Sequence, residues 1–325
     1  MAVMGSQALQ SGLTPILLIY GPTASGKSAL AVDLAHHFGG EVINTDSMQV
    51  YNGLPILTAQ PSITDQDGVA HHLYGHLDVR RNYSVGLWLD EAVGAINTVR
   101  ANGKVPILVG GTGLYFEALT QGLAKIPPVG EKANAAALFL LENKGMEALR
   151  AEVMRIDPAA AARILGADRQ RLLRALSVYL ETGQSLSAFQ KNTQSVLSPG
   201  SWCAMTLYPE REKLYACIAS RFDKMLDQGA LEEARAIAAR DFSDIQPAMK
   251  ALGLKALIGH INGQITLEHA KVTAVRDTRR YAKRQYTWAG GRFSHWPIIN
   301  EHKREQQFQK ALHNIGNLPT GRKLG

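Results

Sequence analysis

The segment GPTASGKS, residues 21–28, constrains this chain more than any other feature of its sequence. It matches the pattern G-x-x-x-x-G-K-[ST], whose glycines let backbone N–H groups turn inwards on a phosphate. A short apolar run, Ile16–Tyr20, precedes it, and residues 28–38 follow with the apolar spacing of a helix. This order predicts a P-loop, in which Lys27 supplies positive charge and Ser28 a hydroxyl for Mg²⁺. The predicted phosphate-binding residues are Gly21, Pro22, Thr23, Ala24, Ser25, Gly26, Lys27 and Ser28.

The same order of strand, turn and helix recurs in the first part of the chain. Residues 41–45 are typical of a strand that ends at Asp46, and VPILV, residues 105–109, runs into the glycine-rich turn 110–113. This alternation predicts an α/β fold, a P-loop NTPase-like parallel sheet flanked by helices. In such a sheet, ligands bind at the carboxyl ends of the strands.

The character of the chain changes at the Pro-Pro pair 127–128. From there to about residue 199 it is rich in Ala, Leu and Arg without a convincing strand, which predicts a helical insertion domain. Residues 202–209 have the apolar pattern of one more strand returning to the sheet. The predicted organisation is a flexible extension 1–14, a discontinuous P-loop core 15–125 and 200–300, the insertion domain 126–199 and a loose tail 301–325.

Composition excludes several classes of protein. Hydrophobic residues make up 46% of the 325 positions and charged residues 19%, as in an ordinary globular protein. The apolar run at residues 15–20 is far shorter than the roughly 20 residues that span a bilayer, and no secretory leader is recognisable before it. Two cysteines, Cys203 and Cys217, are too few for a disulfide framework or a four-ligand zinc site. We therefore expect a cytoplasmic protein without a membrane segment.

The positive charge of the chain is confined to its second half. Residues 1–150 carry 9 Lys and Arg against 12 Asp and Glu, whereas residues 151–325 carry 26 against 16. Within 276–288, five basic residues occupy neighbouring rows of a predicted helix, interleaved with aromatic residues and a single acid, Asp277. A solvated surface that happens to be basic is one explanation. The shortage of acids favours the other, a polyanion such as nucleic acid.

Two polar residues follow predicted strands at the same edge of the sheet as the P-loop. Asp46 has three interpretations: a carboxylate on Mg²⁺, a general base, or the N-cap of a following helix. Thr112, in the turn 110–113, either contacts a phosphate or base edge or caps the helix that it precedes. Its position alone favours the capping role.

Taken in order, these segments resemble the tRNA dimethylallyltransferase family, also called tRNA isopentenyltransferases. The resemblance spans about residues 14–292. It rests on GPTASGKS from position 21, NTDSMQVYNGL from 44, TAQP from 58, HHLYGHLD from 71, VPILVGGTGLYFEAL from 105, DRQRLLRALSVYLETGQSLS from 168, RFDKMLDQGALEE from 221, AMKALG from 248 and RRYAKRQYTW from 279.

The resemblance implies a reaction and a set of site residues. The dimethylallyl group would pass from dimethylallyl pyrophosphate to N6 of adenosine 37 of tRNA, with the P-loop and Mg²⁺ on Ser28 holding the pyrophosphate, not ATP. Asp46, Thr112 and Lys27 are the implied catalytic residues, and the insertion domain would bind the anticodon stem-loop of the tRNA. Together with the basic helix, the predicted tRNA-binding residues are Asp46, Ser47, Met48, Gln49, Thr112, Gln170, Arg171, Leu172, Leu173, Arg174, Arg280, Lys283 and Arg284.

Two other functions are compatible with a P-loop. A small-molecule kinase would need arginines around the transferring phosphoryl group, and the first half of the chain has no recognisable motif of that kind. A non-catalytic RNA-binding protein would have no use for the intact Lys27, Ser28 and Asp46. The chain departs from the usual family pattern in ways that affect single RNA contacts, at Gln60, Ser177, Gln184, Cys217 and Leu254. We expect a monomer.

Overall fold

The computed structural model describes residues 15–191, 193–240 and 247–316. The predicted extension 1–14 lies outside these ranges, as do residues 317–325 of the predicted tail. The chain divides into two compact units, the first formed by residues up to 118 and from 197 onwards, the second by residues 119–196. The predicted insertion, 126–199, shares most of its residues with the second unit.

The first unit is built on a six-stranded parallel sheet with the strand order β3-β2-β4-β1-β5-β6. All five residues of β1 are buried, since the strand lies between neighbours and is covered on both faces. This confirms the predicted parallel α/β fold. The strands are β1 Ile16–Tyr20, β2 Gly40–Asn44, β3 His71–His72, β4 Val105–Gly110, β5 Trp202–Leu207 and β6 Ile298–Ile299.

Helices make up most of the remaining described chain. Before the second unit and at its start they are α1 Lys27–Phe38, α2 Ile63–Gln66, α3 Val85–Ala101 and α4 Gly113–Thr120. The second unit contains α5 Glu131–Ile156, α6 Pro158–Arg163, α7 Arg169–Thr182 and α8 Leu186–Gln190. After β5 come α9 Arg211–Asp227, α10 Ala230–Ala238, a 3-10 turn Pro247–Lys250, α11 Leu254–Ile261, α12 Leu267–Arg292 and α13 Arg304–Gly316. No described helix is both long and apolar enough to cross a membrane.

Two of the apolar clusters among the described residues of the first unit hold helices that carry the site. One joins the sheet to α1 and includes the fully buried Leu30 and Leu34. The other joins α9, α11 and α12 to residues 50–57 and includes Phe222, Leu254 and Tyr286. The two clusters fix the P-loop helix and the long helix α12 to the rest of the unit, and both helices carry residues of the site.

The prediction of a loose tail from residue 301 is wrong for its described part. Residues 304–316 form α13, which packs on the cluster that contains α1. The reason is an apolar stripe with helical spacing, formed by Phe308, Ala311, Leu312 and Ile315. Ala311 is fully buried.

The second unit has a core of its own. Leu149 and Val153 of α5 meet Leu172 of α7, and all three side chains are fully buried. Helix α5 breaks at Gly145, where φ is 80° and ψ −179°. The buried carboxylate of Asp157 accepts hydrogen bonds from Ala160 N–H and Ser187 N–H, at 2.9 and 2.8 Å, and so joins α6 to α8.

Candidate active site

The P-loop lies at the carboxyl end of β1, which runs between β4 and β5. The loop needs left-handed backbone at two positions, Ala24 with φ 64° and Gly26 with φ 90°. Alternation of right- and left-handed residues aims successive N–H groups into one concavity, which is how such loops bind anions. The helix α1 starts directly after it, at Lys27, and adds the positive end of its dipole. The predicted phosphate site is therefore formed as a strand–loop–helix unit.

Lys27 carries the positive charge of the loop. Its Nζ donates to the carbonyl of Pro22 at 3.2 Å, so the side chain folds back over the loop. Burial lowers the pKa of Lys27 from 10.5 to about 8; the Asp46 carboxylate opposes this shift and the Arg221 guanidinium adds to it. A bound anion would favour the charged ammonium of Lys27, so the site favours a negatively charged ligand.

Gln285 of α12 joins the P-loop to the turn after β4. Its Oε1 accepts from the backbone N–H of Thr23 at 2.8 Å, and its Nε2 donates to the carbonyl of Gly111 at 2.9 Å. The side chain is buried, and the Cβ of any other residue at position 111 would clash with its Nε2. Sequence reasoning missed this residue: it lies within the RRYAKRQYTW motif, but only basic residues of that motif were assigned a role.

Asp46 follows β2 and turns the chain back on itself. One carboxylate oxygen accepts from Met48 N–H at 2.9 Å, and the Asp46 N–H donates to Asn44 Oδ1 at 2.9 Å. The residues after Asp46 form a turn rather than a helix, so the N-cap interpretation of Asp46 is wrong. A base and a metal ligand are the two interpretations that remain.

Thr112 connects the ends of β2 and β4. Its Oγ1 accepts from Ser47 N–H at 2.9 Å and donates to Ser47 Oγ at 3.3 Å. Burial, with the Asp46 carboxylate, raises the pKa of Tyr281. The Thr112 hydroxyl thus connects the chain after β4 to the chain after β2, a role beyond either sequence interpretation.

The side chain of Gln49 forms hydrogen bonds with the loop that follows it. Its Nε2 donates to the carbonyls of Thr58 and Ala59, at 3.0 and 2.6 Å. The amide therefore supports the wall formed by residues 57–59. Its predicted contact with a tRNA base stays a prediction.

A cavity of about 290 Å³ opens where these elements meet. Thr23 and Ala24 of the P-loop lie on its wall with Asp46, Ser47 and Met48. The polar part continues through Arg221, Lys250, Thr278, Tyr281 and Arg284. The apolar part consists of Leu57, Ile218, Phe222 and Met225. A ligand with an anionic end and a small apolar end matches this division.

Arg221 of α9 is a cationic residue of this cavity that sequence reasoning did not assign. Its Nη1 donates to Thr23 Oγ1 at 3.4 Å. Burial lowers the pKa of Arg221, while the Asp46 carboxylate opposes the shift. The only sequence signal for Arg221 is its place in the RFDKMLDQGALEE motif. No spacing rule connects an arginine of a late helix with a loop 198 residues earlier.

The predicted basic tRNA contacts of α12 are exposed. Arg284 lies over the ring of Tyr281, with the guanidinium carbon 5.3 Å from its centroid, and lines the cavity. Arg280 and Lys283 line a separate groove of about 520 Å³ between α9 and α12. Arg280 pairs with Asp277 at 3.4 Å.

The predicted tRNA contacts of the second unit lie on α7. Gln170, Arg171 and Arg174 are exposed, and Arg171 pairs with Asp168 at 3.3 Å. Leu172 is fully buried in the core of this unit, so its predicted contact with tRNA is wrong. On a helix, residues 171 and 174 share a face, whereas residue 172 points about 100° away from 171. Leu173 is half-buried.

The metal-binding prediction can be tested against the available oxygen donors. Ser28 lies exposed in the first turn of α1. Within the described ranges, no group of three or more His, Cys, Asp or Glu side chains could hold a metal ion by itself. Mg²⁺ bound to a phosphorylated ligand needs only one or two protein oxygens, with phosphate oxygens and water completing its shell. The Ser28 hydroxyl and the Asp46 carboxylate fit that requirement.

The fold and the site together define a P-loop NTPase-like protein whose anion loop opens beside an apolar wall. The family model described as IPP transferase matches residues 49–292, and the one described as isopentenyl transferase matches residues 14–73. The chain belongs to the IPP transferase family.

Curated relatives and solved structures agree with the family models. The tRNA dimethylallyltransferase of Maricaulis maris is 48% identical over 95% of this chain and 100% of its own length. That of Bradyrhizobium sp. is 51% identical over 85% and 91%. A tRNA isopentenylpyrophosphate transferase from Bacillus halodurans has a TM-score of 0.68 at 32% identity, covering 95% of this chain and 97% of that one. A eukaryotic dimethylallyltransferase acting on tRNA has a TM-score of 0.80 at 27% identity, covering 94% and 80%.

Proposed function

We propose that this chain transfers the dimethylallyl group of dimethylallyl pyrophosphate to N6 of adenosine 37 in tRNA and releases pyrophosphate. The observation that carries the proposal is the cavity in which P-loop residue Thr23, the carboxylate of Asp46 and an apolar wall face one another. Curated relatives that share about half of this sequence are named tRNA dimethylallyltransferase, which supports a dimethylallyl transfer to tRNA.

The donor would lie with its pyrophosphate towards the loop. Backbone N–H groups of residues 21–28 and the ammonium of Lys27 supply positive charge, and Arg221 adds a second cation next to Thr23. The five-carbon tail would contact Leu57 and Phe222 on the apolar side of the cavity. In this orientation the allylic carbon would lie between the leaving group and Asp46.

At the allylic carbon, the transfer forms one bond and breaks one. The N6 lone pair of adenine attacks the allylic carbon, and the bond from that carbon to the pyrophosphate oxygen breaks with its electron pair going to the oxygen. Adenine N6 is a weak nucleophile because its lone pair is delocalised into the ring, so alignment and proton removal both matter. Asp46 accepts the N6 proton as the bond forms. Lys27 and Arg221 stabilise the charge that develops on the pyrophosphate.

Mg²⁺ is the proposed cofactor. Ser28 would hold it together with the pyrophosphate oxygens, while Asp46 is taken as the base. When bound, the ion neutralises part of the charge on the leaving group.

The acceptor would reach the cavity as an extruded base, since N6 of a stacked adenine is not accessible to a buried donor. The base is proposed to be surrounded by Asp46, Ser47, Met48, Gln49 and Thr112. The backbone of the tRNA would follow the groove of Arg280 and Lys283 on the first unit. Gln170, Arg171 and Arg174 would contact the anticodon stem-loop from the second unit. We propose further that the protein is a cytoplasmic monomer.

One experiment separates this function from that of a P-loop kinase. The protein is incubated with Mg²⁺, dimethylallyl pyrophosphate and unmodified tRNA, and the nucleosides of the digested tRNA are then weighed by mass spectrometry. Parallel samples contain ATP in place of the prenyl donor. The proposal requires a dimethylallyl adenosine and no turnover of ATP, and Lys27→Met should lose the product. Turnover of ATP without a prenylated nucleoside would overturn it in favour of a kinase.

A further inference from the structure

The helix α13, Arg304–Gly316, contacts the P-loop although it lies beyond the residues that the two family models match. Its contact with the loop is made by Gln307, whose side chain is only 3% exposed. Nε2 of Gln307 donates to the carbonyl of Ser25 at 3.1 Å and to the carbonyl of Glu301 at 2.9 Å. Both hydrogens of this amide are therefore used, one on the P-loop and one on the segment that leads into α13.

The Ser25 carbonyl belongs to the same peptide group as the N–H of Gly26. In a trans peptide the C=O and the N–H point in opposite directions. When the Ser25 oxygen is held towards α13, the Gly26 N–H is directed away from that helix, towards the side of the loop where an anion binds. Gln307 also restricts the loop sterically, since a Cβ at position 26 would lie 2.9 Å from its Oε1.

Other contacts hold α13 in place without touching the loop. The guanidinium of Arg304 binds the carboxylate of Asp33 on α1 through two hydrogen bonds of 2.8 and 2.7 Å. Phe308 and Leu312 of α13 pack on the apolar cluster that contains Leu30 and Leu34 of α1. The helix is therefore fixed to the P-loop helix along its length, and Gln307 is the point at which this fixed position reaches the loop.

We propose that Gln307 is a positioning residue for the anion-binding loop, and that α13 is thereby part of the donor site. By orienting the Ser25–Gly26 peptide before the ligand arrives, it removes a reorganisation that binding would otherwise have to drive. The inference rests on the proposed function only in taking a pyrophosphate as the anion. It predicts a loss of affinity for the donor without a change in tRNA binding.

The test compares Gln307→Met with Gln309→Ala. Methionine keeps the volume of the buried side chain and removes both donated hydrogen bonds. Gln309 is an exposed residue of the same helix whose Nε2 donates to Glu305 Oε1 at 2.8 Å, so it controls for changes in α13 itself. The dissociation constants of inorganic pyrophosphate and of tRNA are measured by calorimetry, and KM and kcat are measured for the transfer.

The proposal expects Gln307→Met to weaken pyrophosphate binding and raise the donor KM about 3- to 10-fold, the value of one oriented hydrogen bond. The dissociation constant of tRNA and the kcat at saturating donor should stay within about twofold. Gln309→Ala should match the wild type throughout. Unchanged pyrophosphate binding in Gln307→Met, or an equal loss in Gln309→Ala, would overturn it.

A second measurement distinguishes a local change in the loop from a general loss of folding in Gln307→Met. Hydrogen exchange of the Ser25–Lys27 amides is followed with and without pyrophosphate. The proposal expects faster exchange of these amides in the free variant at unchanged protection of β1; equal exchange in variant and wild type contradicts it. Because pyrophosphate binding is measured without turnover, failure of the proposed transfer would show as absent product in the wild type, separately from this result.

Discussion

The backbone N–H of Ser47 donates to Thr112 Oγ1 at 2.9 Å and so connects the carboxyl ends of β2 and β4 beside the cavity. The hydroxyl occupies the point where the turns after the two strands meet. Asp46 is the residue before Ser47, so the position of its carboxylate depends on this hydrogen bond. The relationship makes Thr112 a structural support of the proposed base, whether or not it also touches the substrate.

Replacement of Thr112 by valine tests this support. Valine preserves the shape but leaves the Ser47 N–H without its acceptor, which costs about 1–3 kcal/mol in a half-buried position. We expect kcat of the transfer to fall about tenfold or more, since a shift of the carboxylate of about 1 Å is costly in an aligned reaction. Thr112→Ser keeps the oxygen and should retain most of the activity. Equal kcat values for the two variants would show that the hydroxyl has no such role.

Asp46→Asn tests the proton acceptor. Asparagine keeps an oxygen that can accept from Met48 N–H, so the turn should persist while the base is lost. We expect single-turnover transfer to fall at least about 100-fold, the usual value of a general base, with tRNA binding within about twofold of the wild type. Asp46→Ala should abolish transfer as well, and also weaken the turn. A parallel loss of tRNA affinity in Asp46→Asn would assign the carboxylate to binding instead.

The lowered pKa of Lys27, about 8 in the free protein, predicts a pH dependence of donor affinity. Below this pH the ammonium is charged and attracts the pyrophosphate. Above it the free protein loses the charge, so binding must first restore a proton and weakens by up to about tenfold per pH unit. Calorimetric titrations with dimethylallyl pyrophosphate from pH 7 to pH 10 should show this decline.

The matching control is Lys27→Met, which reports the titration of the ligand alone. Its profile should lack the decline above pH 8 and show weak binding throughout. If the wild type and Lys27→Met differ by a constant factor over the whole range, the Lys27 pKa is not lowered in the free protein.

Neutralisation of Arg171 and Arg174 tests the proposed tRNA contact of the second unit. Each phosphate contact that is lost lowers the slope of log K against log salt concentration by roughly 0.7–0.9. The double alanine variant should therefore bind tRNA more weakly and with a slope smaller by about 1.5. Arg155→Ala is the control, because Arg155 is an exposed arginine of the same unit that is paired with Glu152. A salt slope equal to that of the control would remove Arg171 and Arg174 from the interface.

Local patterns were sufficient to predict the frame of the site. The apolar run of β1, the P-loop and the helix after it are contiguous, and the structure has them at Ile16–Tyr20 and from Lys27. Asp46 and the turn after β4 were predicted at the same edge because parallel strands bring their carboxyl ends together. The structure confirms that arrangement.

Contacts between distant parts of the chain could not be predicted in this way. Gln285 reaches Thr23 across 262 residues, and Gln307 reaches Ser25 across 282. Both are neutral amides on helices, and nothing in their local spacing distinguishes them from surface glutamines. Leu172 was misassigned for a related reason, because residues 170–174 were all predicted to contact tRNA as one contiguous motif. Helical geometry directs Leu172 into the core of the second unit instead.

The most direct test of the central claim locates the product on the tRNA. A tRNA transcript is incubated with the protein, Mg²⁺ and dimethylallyl pyrophosphate, and its nuclease fragments are weighed, alongside a transcript in which adenosine 37 is replaced by guanosine. The account predicts one dimethylallyl group on the fragment that contains position 37, and none on the substituted transcript. Modification of another fragment, or equal modification of both transcripts, would contradict it.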